Sequence, residues 1–355
     1  MSVPDRGSQG QGRRWVIEQF GGTEELKLVV FDLPSPKAGE LLVRILATDA
    51  TYTDQLIIHG NYRPLPPLPI TPGYCCIGVV EAAGPGCRIQ SGTRVAALPQ
   101  NGCLTTHRLL PESLAVACRA DVVPEKAISA VLTGVTAYQM LHRLSGGRLK
   151  EEASILVHAC TGGTGAMLVS LAKIAGVKTI FGTCSARNVQ AASAHGVKAL
   201  DYGSDWEAAA RKAHPDGFDL VFDSVVLQGY LDKGLRLVKR GGKYVAYGLT
   251  NKAAPGTFSL SSVVFALLVK MSLQEALWKC CDGKRAEFYN IGDRYKAKPE
   301  EYGADLSVLL DLMAQGKLEP LIGRVWSSLE DGKQALQAIE AGTHTGKQVV
   351  VISQP

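Results

Sequence analysis

The run Ala153-Ser154-Ile155-Leu156-Val157-His158-Ala159-Cys160-Thr161-Gly162-Gly163-Thr164-Gly165 constrains this chain more than any other feature. An apolar, strand-like segment breaks there into a glycine-rich turn, and Ala166 to Gly176 follows with apolar residues at helical spacing and a glycine stop. Glycines 162, 163 and 165 let the backbone approach a phosphate closely, while the free N–H groups and dipole of the helix's amino end favour negative charge. Thr161, Gly162, Gly163, Thr164 and Gly165 are therefore the expected pyrophosphate-binding residues. A second strand-like run, Val177 to Thr183, arrives about 20 residues after the loop, where a βαβ unit needs it.

The end of that second run separates two dinucleotides. An NAD site places Asp or Glu there to accept hydrogen bonds from the ribose hydroxyls. This chain reads Thr183-Cys184-Ser185-Ala186-Arg187-Asn188 and has no acid. Ser185, Arg187 and Asn188 instead offer a hydroxyl, a guanidinium and an amide to an adenosine 2′-phosphate, which Arg187 can grip by paired, charge-assisted bonds. NADPH is the expected cofactor. Phe218 to Asp223 and Gly242 to Gly248 read as the third and fourth strands of a doubly wound α/β sheet. Ligands of such sheets bind beyond the carboxyl ends of the strands, so Ser224, Gly248 and Leu249 belong near the cofactor.

With 355 residues, 46% of them hydrophobic, the chain is long enough for two domains. Its net charge of +5 is spread among mixed acids and bases, which gives no support to nucleic-acid binding. Met1 to Arg14 has no apolar signal core, and residues 1–12 read as a flexible tail. The apolar run Val263 to Val269 is too short to span a bilayer. Nine irregularly spaced cysteines argue against a secreted disulfide framework and for a reducing cytosol. The adjacent pairs Cys75-Cys76 and Cys280-Cys281 read as packing residues, and no Cys/His spacing suits a closed zinc site, so no metal is expected.

Before the nucleotide segment lie short strand-like runs broken by Gly and Pro: Trp15 to Ile17, Leu26 to Val30, Glu40 to Ala47, Gly78 to Ala83 and Thr93 to Ala97. They predict a small, mostly antiparallel β domain. Pro124 to Leu144 reads as helical, and the tail from Gly323 to Ile352 reads strand, helix, strand. The order and the residues resemble the medium-chain dehydrogenase/reductases, and within them the zinc-free quinone oxidoreductase branch that includes relatives of vesicle amine transport protein. The resemblance covers nearly the whole chain after the tail. It is carried by Thr51-Tyr52-Thr53-Asp54, Gly60-Asn61-Tyr62, Pro69-Ile70-Thr71-Pro72-Gly73, Gly92-Thr93-Arg94-Val95, Val131 to Tyr138, Val157 to Gly165, Asp201-Tyr202, Phe222-Asp223-Ser224 and Gly346-Lys347-Gln348-Val349-Val350.

That resemblance implies a GroES-like β-rich catalytic domain from both chain ends, residues 13–127 and 306–355, and a Rossmann NADP-binding domain at 128–305. It implies an active site in the cleft between them, a homodimer and no zinc, because Thr51 and Tyr74 stand near the positions of metal ligands in zinc-dependent members. It further implies Thr136, Tyr202 and Lys347 as cofactor contacts, and Tyr62, Tyr52 and Thr51 as the catalytic candidates. The expected reaction is NADPH-dependent hydride transfer to an activated double bond in a quinone, enone or enoyl intermediate. The alternatives are an enoyl reductase or other tailoring enzyme acting on a carrier-bound polyketide, and an NADPH-binding protein with little catalysis. Phe258 to Leu277 is the apolar stretch expected to line a pocket or dock a partner. Three departures from the resemblance stand out: Thr51 replaces an Asn, Val225-Val226-Leu227 follows Phe222-Asp223-Ser224 where a glycine pair is usual, and Asn188 replaces a lysine.

Overall fold

A computed structural model describes residues 10–62, 65–146, 149–227, 229–248, 266–274, 276, 283–342 and 344–353. Leu249, Cys280-Cys281 and half of Phe258 to Leu277 lie outside the described residues. The chain divides into two units: residues 1–132, 322–344 and 348–355 form the first, and 133–321 with 345–347 the second. The helix Pro299–Ala314, which the sequence reading divides at 306, lies wholly in the second unit. The short segment 345–347, which carries Lys347, belongs there as well.

The first unit is built on antiparallel strands. A seven-stranded sheet orders Ile322–Trp326, Lys347–Val351, Glu40–Ala50, Cys76–Ala83, Arg94–Ala97 and Ala115–Ala117, with His107–Pro111 paired to Glu40–Ala50. Gln11–Val16 and Lys27–Asp32 form a separate antiparallel pair. Strand pairing thus begins at Gln11, two residues inside the segment expected to be a tail. Leu41, Val43, Ile45, Val80, Val95 and Leu110 fill the core beneath the large sheet. Each such side chain contributes about 1.5–3 kcal/mol by leaving water.

The second unit holds a six-stranded sheet in the order Lys198–Asp201, Thr179–Cys184, Ser154–Val157, Phe218–Asp223, Val238–Ala246 and Arg285–Phe288, and every neighbouring pair is parallel. In chain order this is 3-2-1-4-5-6, the doubly wound Rossmann arrangement. Parallel strands buried on both faces read as continuous apolar runs, and all four residues of Ser154–Val157 are buried. Strand order reverses beside that strand, so the crevice past Val157 is where this fold takes a ligand. The predicted helix at 124–144 is regular only in part: π-helical turns at Ala130–Gly134 and Gln139–Arg143 interrupt it. Among the described residues no helix is long and apolar enough to cross a membrane.

Candidate functional site

The turn after Ser154–Val157 is fastened to its neighbours before it reaches the glycines. The N–H of His158 donates to the Phe222 carbonyl at 2.9 Å, that of Cys160 to the Thr183 carbonyl at 3.0 Å, and that of Ala159 to the Thr183 hydroxyl at 3.3 Å. Ala159 is held at φ +53°, a left-handed conformation uncommon outside glycine. The helix Gly163–Ile174 then starts with no side chain capping it, so its first N–H groups stay open to an anion. Only Gly165 is forced by backbone contact: a Cβ there would lie 2.2 Å from the Ala159 carbonyl oxygen. A Cβ at Gly163 would instead meet the Lys347 side chain at 2.9 Å and Thr133 at 3.5 Å. Lys347 reaches the turn because the Gly346 N–H donates to the Thr161 carbonyl at 2.8 Å, bridging Gly346 to Gly162. Thr161, Gly162, Gly163 and Lys347 are therefore together, with Thr164 in the helix's first turn, and Thr133 joins them. Thr133 lies 30 residues before the turn and carried no local sign of this placement.

At the end of Thr179–Cys184 the Ser185 hydroxyl is buried with no hydrogen-bond partner. An orphaned hydroxyl at the second strand's tip, with exposed Arg187 two residues on, is a donor set suited to a ribose phosphate. Exposed Tyr202 is tied nearby, its N–H donating to the Cys184 carbonyl at 2.9 Å. Asn188 serves differently from Ser185: its amide donates to the Thr161 hydroxyl and accepts from the Thr345 hydroxyl, each at 3.2 Å, bracing the turn against the 345–347 segment. An open helix amino end, a close-approach glycine and an orphaned hydroxyl are the features a site needs to hold a dinucleotide.

Ser224 and Gly248 are adjacent, since a Cβ on Gly248 would fall 3.0 Å from the Ser224 carbonyl. Between them the valines replacing glycines have a visible cost. Val226 sits at φ +61°, an outlier for a β-branched residue, and is held there because Asp223 accepts the Val225 and Val226 N–H groups at 2.7 and 3.0 Å. The other Asp223 oxygen accepts the Tyr244 hydroxyl at 2.5 Å. His158 is fully buried, its Nδ1 3.1 Å from the Thr183 hydroxyl and its ring edge-on to Trp206 and Tyr230. Burial pushes its pKa down, so it is neutral, as a packing histidine should be. Thr136 is buried between the π-helical turns and bonds to Tyr289, whose hydroxyl donates to Gln139 at 2.7 Å. Gln139 and Arg143 both donate to buried Asp305.

In the first unit Thr51 caps the helix Tyr52–Ile58. Its hydroxyl donates to Asp54 at 2.6 Å and accepts the Asp54 N–H at 3.2 Å, while Asp54 also accepts the Thr51 and Gly73 N–H groups. Thr51 is thus engaged locally, and Tyr52 is the helix's first residue. Burial pushes the Asp54 carboxyl up to about 6 against the pull of these hydrogen bonds. The Tyr62 hydroxyl lies 3.3 Å from that of buried Tyr74, whose pKa burial and Tyr62 both raise, so Tyr74 stays protonated. Among the described residues no three His, Cys, Asp or Glu side chains cluster to hold a metal ion.

Comparison with known proteins follows both units. A family model described as "Alcohol dehydrogenase GroES-like domain" matches residues 37–142, and one described as "Zinc-binding dehydrogenase" matches 195–350. A zebrafish (Danio rerio) relative, "Synaptic vesicle membrane protein VAT-1 homolog", is 30% identical over 97% of this chain and 70% of its own length. A quinone oxidoreductase structure from Pseudomonas syringae pv. Tomato is 26% identical, with TM-score 0.80 over 96% of this chain and 99% of the other. A mycobacterial protein solved in complex with NADPH is 25% identical, with TM-score 0.78 over the same shares.

Proposed function

Because the chain belongs to the medium-chain dehydrogenase/reductase superfamily, with an architecture that fits its zinc-free branch, we propose that it is an NADPH-dependent oxidoreductase acting on the activated double bond of a quinone or enone. The observation that carries the cofactor choice is the buried, partnerless Ser185 hydroxyl at a strand end without an acid. The Gly163–Ile174 helix end and Lys347 hold the pyrophosphate, Ser185, Arg187 and Tyr202 the adenosine ribose phosphate, and Thr136, Ser224 and Gly248 border the remainder. When bound, the nicotinamide supplies a hydride. The chain supplies hydrogen-bond donors: Tyr74 fixes the Tyr62 hydroxyl, and Tyr62 donates to the substrate carbonyl as negative charge develops on its oxygen. The enzyme is read as a cytosolic homodimer.

Titrating NADPH and NADH into wild type and Arg187→Ala tests the cofactor assignment. Wild type should prefer NADPH by at least about tenfold, and the variant should lose about tenfold for NADPH while leaving NADH unchanged. Equal affinities in wild type would overturn it. A second reading, cofactor binding without efficient turnover, is favoured by the engagement of Thr51 with Asp54. With a panel of quinones and enones, Tyr62→Phe should lower kcat by about a hundredfold or more if Tyr62 is the donor. Equal, very low turnover in both proteins would favour the second reading.

A further inference from the structure

We propose that the second unit carries a separate site for a small anionic amphiphile, an alkyl-chain carboxylate, in a cavity alongside the helix Gly163–Ile174. The cavity has a volume of about 490 Å³, within the roughly 300–1,000 Å³ of ligand clefts. One wall is a single stripe of that helix: Ala166, Val169, Ser170 and Lys173 stand at i, i+3, i+4 and i+7. At the helical rise this stripe is about 10 Å long, which makes the space a trough suited to an extended chain. Val197 and Leu321 face it from other segments, so both sides are apolar.

The rim is not apolar, and its charge is lopsided. Lys173 and Lys317 border the cavity against one acid, Glu319, with His195 beside them, and all four are exposed. Lys173 is fixed there by donating to the His195 carbonyl at 3.0 Å. An apolar trough with basic groups at its mouth favours an alkyl tail ending in a carboxylate over a neutral chain of equal length. The lining reaches Cys160 and Thr161, the edge of the pyrophosphate turn, but includes none of Gly162, Gly163, Ser185, Arg187, Tyr202 or Ser224, so the cavity adjoins the assigned cofactor site without coinciding with it. Leu321 also links the trough to the turn: its carbonyl accepts the Lys347 N–H at 2.8 Å.

Decanoate is the probe, with decanol and inorganic phosphate as controls, and binding to the full chain is read by calorimetry with and without saturating NADPH. Decanoate should bind saturably at one site per chain, in both conditions, at least about tenfold tighter than decanol, while phosphate does not occupy the site. Val169→Trp, which fills the trough, should abolish binding, and Lys173→Glu with Lys317→Glu should weaken it about tenfold. Ser170→Trp, at a half-buried position, repeats the filling test if Val169→Trp does not fold. Absence of saturable binding, equal affinity for decanol, displacement by NADPH, or wild-type affinity in a folded filled variant would each overturn the proposal. None of these readouts depends on turnover, so the site stands or falls separately from the reductase reading.

Discussion

Two glycines of one turn do different work, although their identity in the sequence is the same. Gly165 is required by a backbone oxygen 2.2 Å from where its Cβ would be, and that oxygen belongs to Ala159, itself at φ +53°. Gly165→Ala must move the turn, so it should cost about 2 kcal/mol of stability and weaken NADPH binding together. Gly163→Ala meets the flexible Lys347 side chain and should leave the denaturant midpoint near wild type while weakening NADPH alone. Equal loss of stability in the two variants, measured by denaturant unfolding, would contradict this division. The glycine spacing identified the turn correctly but could not rank its members, because rank depends on the local fold of Ala159 and on Thr133 and Lys347 from two other segments. The same holds for Asn188: its place in the sequence pointed to phosphate, whereas its bonds to Thr161 and Thr345 depend on a segment 157 residues away.

Among elements, the short helix Tyr52–Ile58 is fixed at its start by Thr51 and Asp54, and this makes its stability depend on pH. Burial raises the Asp54 carboxyl to about 6 in the folded chain, against the ordinary aspartate value of about 4 when unfolded. Below about pH 4 both states are protonated and no cost arises. As pH rises through 6 the folded chain must bury a charge, and about 3 kcal/mol of stability is lost on an order-of-magnitude basis. Asp54→Asn removes that titration, so its unfolding free energy should fall less than that of wild type between pH 4 and 7, even though it starts lower. Parallel pH profiles would refute the buried-acid account. Elements with a clean period were legible: Phe218–Asp223 was read to the residue and Glu40–Ala50 from its first. The π-helical turns around Thr136 were not, because a helix period does not show where one extra residue is accommodated. Nor was the Thr51 capping box, because a Thr with an Asp three residues on marks a helix start only where the segment before it is extended.

At the scale of the whole chain, the second unit is assembled from a long middle segment and the three residues 345–347 near the carboxyl end. The strand, helix and strand patterns near the carboxyl end assign 306–355 to the first unit as a block, because such patterns say nothing of a three-residue excursion. That excursion puts Gly346 on Thr161 and Lys347 over Gly163. A ligand that binds only the folded form stabilises it by mass action, about 2.7 kcal/mol at a hundred times Kd. If the turn and residues 345–347 hold one dinucleotide, NADPH should slow amide exchange in peptides covering 158–165, 183–188 and 345–347 as a group. NADH at the same concentration should slow them less, because it lacks the phosphate assigned to Ser185 and Arg187. Protection of 158–165 without 345–347 would detach Lys347 from the cofactor, and equal protection by both dinucleotides would remove the phosphate assignment. The two outcomes are separable because Lys347 is positioned by its own backbone bond to Leu321 and by that of Gly346 to Thr161, whereas Ser185 depends on the tip of a different strand.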